Sequence, residues 1–218
     1  MKSTFLGVSA AVIGIGMAVA GCSSGGHSTA STATGHKAVG STKPASNHSP
    51  MAASSATPAM TGTVGYACKK LPATGTGSLH AMMSEPTGTA ISHNPQLTEL
   101  ARGIDKAGLT TMLNSATTIT VFAPDDAALR ALGSGNLKTL MANKTDLVKL
   151  LEYHMVKSQV TPADFAARTT LTTLVGLPAR PAKSGTDYRV NTALVTCGNI
   201  HTANGTVYII DKVLIPTP

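Results

Sequence analysis

The chain has 218 residues, 42% of them hydrophobic, 12% charged and 3% aromatic, with 17 Lys and Arg against 10 Asp and Glu. The length allows one ordinary domain with extensions, and a charged fraction about half the usual one excludes coiled coils, Lys/Glu-rich bundles and disordered polyelectrolytes. A net charge of +7 invites a nucleic-acid reading, but no Asp or Glu precedes Glu85, so two chemically different regions are joined and the averages describe neither.

Lys2 precedes an uncharged run from Phe5 to Ala20. That is the length and polarity of a signal-peptide core, and it is short for a permanent membrane helix, which needs about 20 apolar residues. The run ends in Val19-Ala20-Gly21-Cys22. This resembles the bacterial lipobox, in which an aliphatic residue and two small ones precede the cysteine that receives a diacylglyceryl thioether before cleavage. Residues 1–21 are therefore predicted to be a lipoprotein signal peptide and Cys22 the lipidated residue; an ordinary signal peptide cut nearby is the alternative. Two acyl chains, at roughly 0.8 kcal/mol per buried CH2, anchor stably where one does not.

From Ser23 to Thr63 the chain is mainly Ser, Thr, Ala, Gly, Pro and His, with Lys37 and Lys43 as its fixed charges. It has no aromatic residue and no aliphatic periodicity, so burial cannot offset chain entropy. Residues 22–63 are read as the anchor and a disordered stalk, open to O-glycosylation, with a reach of roughly 35 Å. His27, His36 and His48 lie too far apart for a metal site, and none is expected. Asn47, Asn143 and Asn204 each begin an Asn-x-Ser/Thr triplet, a glycan acceptor only where the machinery exists.

The cysteines left after Cys22 are Cys68 and Cys197. An even pair in an exported chain implies a disulfide, here closing a loop of about 130 residues and pinning the entry segment beside the penultimate strand. Two separately buried thiols are the alternative.

The globular part is read as residues 64–218. Asn94-Pro95 predicts a helix start, with Leu97, Leu100, Ala101 and Ile104 at helical spacing and Gly108 at the end. Ile119 to Phe122 is β-rich, and Asp125 caps a short helix bearing Ala128, Leu129 and Leu132. Asn143 caps the next helix, with Leu147, Leu150 and Leu151 inward, and Thr161-Pro162-Ala163-Asp164 opens another. Short β-type runs follow: Leu171 to Val175, Asp187 to Asn191, Ala193 to Cys197, Ile200 to Thr202 and Thr206 to Ile215, with Asn204-Gly205 as a hairpin turn. Helices first and antiparallel strands later predict an α+β fold.

Three segments carry a resemblance: Ile119-Thr120-Val121-Phe122-Ala123-Pro124-Asp125-Asp126-Ala127-Ala128-Leu129, then Leu150-Leu151-Glu152-Tyr153-His154-Met155-Val156, then Asn204-Gly205-Thr206-Val207-Tyr208-Ile209-Ile210-Asp211-Lys212-Val213-Leu214-Ile215-Pro216. In order and spacing they resemble the signatures of the fasciclin (FAS1) domain over roughly residues 90 to 216. The cysteine pair and Cys197-Gly198 followed by Thr202-Ala203-Asn204 look like the secreted and lipidated single-domain fasciclin antigens of mycobacteria. The resemblance implies a wedge-like antiparallel β-sandwich flanked by helices, and a role in adhesion outside the cell. The family often has Thr or Asn where this chain has Asp125 and Asp126, and Asp caps a helix equally well.

The Tyr153-His154 pair sits where a helix enters a strand, and strand alternation predicts one side chain buried and the other at least partly exposed. A histidine among apolar residues is more often a hydrogen-bonded core residue than a ligand. In animal members the segment is associated with integrin-type adhesion, which makes Tyr153 and His154 the candidate adhesion motif. Gly-x-Ser-x-Gly, phosphate-loop, Cys-x-x-Cys and His-Glu-x-x-His patterns do not occur, and Asp125-Asp126 is followed by Ala-Ala-Leu rather than by further oxygen ligands. The reading is a non-enzymatic, monomeric surface module without cofactor, metal or nucleic acid, which contacts the membrane through its anchor and extracellular or host-surface proteins or glycans through its domain. Its rival is an envelope carrier with a small apolar or lipid ligand held in the wedge.

Overall fold

The structure, a computed structural model, describes residues 62–216. The predicted signal peptide, Cys22, the predicted stalk up to residue 61 with its three histidines, and Asn47 lie outside the described residues. A helical half comes first: α1 (Leu79–Ser84), α2 (Thr87–His93), α3 (Thr98–Ala107), α4 (Thr110–Ser115), strand β1 (Ile119–Pro124), α5 (Asp126–Ala131), α6 (Ser134–Ala142) and α7 (Lys144–Tyr153). After β2 (Met155–Val156) and α8 (Pro162–Ala167) the chain turns to strand: β3 (Leu171–Thr172), β4 (Pro178–Ala179), β5 (Pro181–Ser184), β6 (Asp187–Val190), β7 (Ala193–His201) and β8 (Gly205–Ile210).

Six strands form one curled sheet in the order β2-β1-β8-β7-β6-β5, and β3 pairs with β4 separately. The α+β expectation holds, but the sheet is mixed: β1 runs parallel to β8 while the other strand pairings are antiparallel. The hairpin with β7 takes one edge of β8 and leaves the other to a strand laid down more than 80 residues earlier, whose direction no turn constrains. Both faces of β1 are then covered. Ile119, Val121 and Ala123 enter a cluster shared with the helices, and Phe122 enters a second cluster with Tyr208, Phe165, Val190 and Leu214. A strand buried on both faces carries few polar groups, and Ile119–Pro124 is buried throughout, its Thr120 hydroxyl donating to Ser158 O and accepting from the Val160 N–H.

The capping expectations hold for α5, α7 and α8. Asp125 accepts from the Ala128 N–H at 2.7 Å, Asn143 accepts from the N–H groups of Thr145 and Asp146, and Asp164 Oδ2 accepts from the Thr161 N–H at 2.7 Å. Helix α3 departs from expectation, because it begins at Thr98 and not at Asn94. The Asn94 carboxamide turns back on the Gln96 N–H at 2.9 Å, and the start of α3 is capped from 27 residues away: Asp126 Oδ1 accepts from the Glu99 N–H at 2.9 Å, and Oδ2 from the Thr98 hydroxyl. Helices α1, α2, α4 and α6 have no clear signal in the sequence. The Thr-Gly-Thr-Ala-Ile-Ser-His segment of α2 has low helix propensity and buries Thr87, Gly88, Ala90 and Ile91, so packing and not propensity forms it.

Cys68 and Cys197 are joined, with 4.8 Å between their Cα atoms. The entry segment lies along β7, the penultimate strand. Val64 and Gly198 exchange backbone hydrogen bonds at 3.0 and 2.7 Å, and the Ala67 N–H donates to Thr196 O at 2.8 Å. Gly65, at φ +105°, passes so close that a Cβ there would sit 2.4 Å from Thr196 O.

The Asn204-Gly205 pair works differently from a two-residue turn. Residues 202–204 connect β7 to β8, and the Thr202 N–H donates to Gly205 O at 2.9 Å. Gly205 is there for approach: a Cβ would lie 2.3 Å from the oxygen of Ile119, its partner in the parallel pairing. The Asn204 side chain points inward. Its oxygen accepts from the Thr87 N–H and hydroxyl, both at 2.8 Å, and its NH2 donates to Leu113 O and Ala116 O at 2.8 Å and to Asn114 O at 3.3 Å. This amide is already committed to the fold, so Asn204 is closed as a glycan acceptor.

Candidate functional site

Helix α7 ends at Tyr153, and His154 is its C-cap at φ −86°, ψ 0°. Strand alternation predicts one buried and one exposed side chain at this pair, and that expectation is overturned: Tyr153 is 2% exposed and His154 1%. The alternation begins only at Met155, and both faces of the sheet here are covered. Tyr153 enters the aromatic cluster, while His154 lies under the segment that follows β8. The candidate adhesion motif therefore offers a partner neither ring.

The histidine's two nitrogens are both used. Its Nδ1–H donates to Leu150 O at 2.8 Å, and its Nε2 accepts from the Leu214 N–H at 2.9 Å, which sets a neutral ring protonated on Nδ1. Burial pulls its pKa down to about 4, with the Leu150 carbonyl opposing. Protonation at Nε2 would set one donor against another. The adjoining crevice, bordered by Leu100, Leu147 and Leu151, measures about 10 Å³, room for one water at most. His154 is thus a clasp: it holds the Leu214 amide at the end of α7, in the segment beyond β8, a strand expected to reach Ile215 that ends at Ile210, where its pairing with β7 stops and Asp211 bonds to Leu194.

A pH dependence follows with a definite sign. The folded-state pKa lies below the unfolded value of 6.5, so this contribution is complete above pH 6.5 and is lost as pH falls through about 4. The native state should lose about 3 kcal/mol across that window. In His154→Leu that part of the slope should vanish, and stability at neutral pH should drop by about 2 kcal/mol for the unpaired Leu214 amide. Urea unfolding at a series of pH values reads both; equal slopes in parent and variant would refute the assignment.

Above the Tyr153 hydroxyl the surface opens into a cleft of about 910 Å³. The Tyr153 hydroxyl donates to Pro178 O at 3.2 Å and accepts from Asn191 Nδ2 at 3.1 Å. Asn191, at φ 53°, also ties down the Arg180 backbone: its Oδ1 accepts from the Arg180 N–H and its N–H donates to Arg180 O. Arg168, Arg180 and Asn191 escape a reading by motif. The one signal in the sequence is negative: α8 ends in Ala-Arg-Thr, with no Gly or Asn where the chain turns left-handed.

Among the described residues no three His, Cys, Asp or Glu side chains converge as metal ligands, and no helix is long and apolar enough to cross a membrane.

The fasciclin domain profile matches residues 95–216. The chain is 37% identical over 161 residues to immunogenic protein MPB70 of Mycobacterium bovis, covering 70% of this chain and 82% of that protein. It is 35% identical over the same length to cell surface glycolipoprotein MPB83 of the same species, covering 70% and 72%. Among solved structures it resembles a FAS1 domain pair from the insect cell adhesion molecule Fasciclin I, with a TM-score of 0.55 at 16% identity. That match covers 62% of this chain and 52% of the pair, and it speaks to the fold alone. With the profile spanning more than half of its length and these bacterial relatives aligned over most of theirs, this chain belongs to the fasciclin domain family.

Proposed function

We propose that the protein is a cell-surface module, anchored by lipid on Cys22 and carried on the stalk of residues 22–63, that makes protein or glycan contacts at the cell envelope. The observation that carries this reading is the 35% identity to proteins named cell surface glycolipoproteins. The Val19-Ala20-Gly21-Cys22 sequence supports it at the other end of the chain. A disulfide-tied body suits an oxidising compartment. Contact rather than catalysis also suits a fold whose one buried histidine among the described residues is committed to backbone groups. Weak single contacts suffice for such a module, since many tethered copies gain avidity without a strong site.

Radiolabelled palmitate should enter the parent chain, and Cys22→Ser should abolish the labelling. Label persisting in the variant would remove the anchor. Saturable binding of the Cys22→Ser chain to host-cell or matrix proteins would support contact, and its absence across both would count against it.

A further inference from the structure

We propose that the cleft above Tyr153 binds a single-chain anionic amphiphile, an acyl chain ending in a carboxylate or phosphate. Its volume, about 910 Å³, falls within the range of small-molecule sites. Leu177, Pro178, Pro181, Val213 and Leu214 supply an aliphatic wall, and Ile215, 64% exposed, stands at its rim. No Asp or Glu lines it, whereas Arg168 and Arg180 do.

The five arginines of the described region divide cleanly. Arg102, Arg130 and Arg189 are paired with Glu99, Asp126 and Asp187. The guanidinium groups of Arg168 and Arg180 take part in none of the ion pairs or hydrogen bonds among the described residues, and these two face the cleft. Two unpaired cations beside an aliphatic wall complement an anion on an apolar chain.

Arg168 adds an independent observation. It caps α8 at φ 54°, ψ 38°, the left-handed conformation that glycine adopts without strain and that Gly108 supplies at the end of α3. A long side chain at such a position costs local stability, and such outliers gather at ligand sites. Part of the lining is held in advance: Asn191 bonds to the Tyr153 hydroxyl and to the Arg180 backbone without a ligand.

This site stands apart from the surface-contact reading, and either can fail without the other. It also differs from a ligand held inside the wedge, because the cleft opens at the surface and takes charge as well as chain. The test uses the exported Cys22→Ser chain, so that its own proposed acyl groups stay out of the assay. Oleate, oleoyl lysophosphatidate, monoolein, acetate and hexaglutamate are titrated below any micelle concentration, with native mass spectrometry for stoichiometry and calorimetry for affinity. One oleate or one lysophosphatidate should bind per chain, the tighter of the two naming the head group. Monoolein should bind about tenfold or more weakly, and acetate not measurably.

Arg168→Gly and Arg180→Gln should each weaken oleate binding by about tenfold. Arg168→Gly should meanwhile melt at or above the parent temperature, which separates lost binding from lost folding. Parent affinity in both variants, or monoolein binding as tightly as oleate, would overturn the proposal. Saturable hexaglutamate binding that oleate does not displace would overturn it in favour of an acidic peptide.

Discussion

Replacing Cys68 and Cys197 together by Ala is expected to lower the unfolding free energy by up to about 5 kcal/mol, a third or more of what a domain of this size ordinarily has. The cysteines are 129 positions apart, so the bond removes conformational entropy from nearly the whole unfolded domain. The native side of the balance is small, because Val64 and Ala67 still have their hydrogen bonds to Gly198 and Thr196. Those bonds should become the weak point. Hydrogen exchange at the amides of Val64, Ala67 and Gly198 should rise towards the rate of local opening, while Val207 and Ile209 in the sheet exchange only by global unfolding. Chemical unfolding of parent and double variant measures the first effect. A difference within about 1 kcal/mol would mean that the reduced chain stays compact when unfolded.

The second large effect is expected at Asn204. Asn204→Ala should cost about 4 kcal/mol, because it strips partners from the amide of Thr87 at the start of α2 and from the carbonyls of Leu113 and Ala116 at the end of α4. Asn204→Asp is the sharper test. It keeps the shape and the acceptor for Thr87, yet turns a second oxygen towards three carbonyl oxygens that now receive two donors. If the side chain acted only through turn conformation, Asp would be well tolerated, as it is in turns. If its amide joins three segments, Asp should be as damaging as Ala. Midpoints of urea unfolding for the three proteins decide between these outcomes.

The same residue shows where sequence reading succeeds and where it stops. Asn204-Gly205 is legible as a break between two β runs, and a hairpin is there. The reasons for the two residues are tertiary: the asparagine is selected by Thr87, Leu113 and Ala116, and the glycine by the approach of Ile119. Asp126 repeats the lesson. Its neighbour Asp125 caps its own helix and is readable as a cap, whereas Asp126 caps a helix that begins 28 positions earlier. For the Tyr-His pair the sequence marks the place, but alternation misjudges exposure, because it knows the direction of a side chain and not what the rest of the chain lays over it.

What the sequence determined by itself was the order of parts. A signal-like run ending at Cys22, a polar stretch poor in apolar groups, a cysteine pair, and helices followed by strands are all properties of local composition, capping and period. Three signatures in register were enough to indicate the family. Only the tertiary structure decided that β1 joins β8 in parallel, that His154 clasps the closing segment at Leu214, and that two arginines are left unpaired around one cleft. Those features bring together groups up to about 90 positions apart in the chain. Local free energies choose helix or strand within a few residues, while pairing, burial and charge are settled by whichever distant neighbours the packed core brings together.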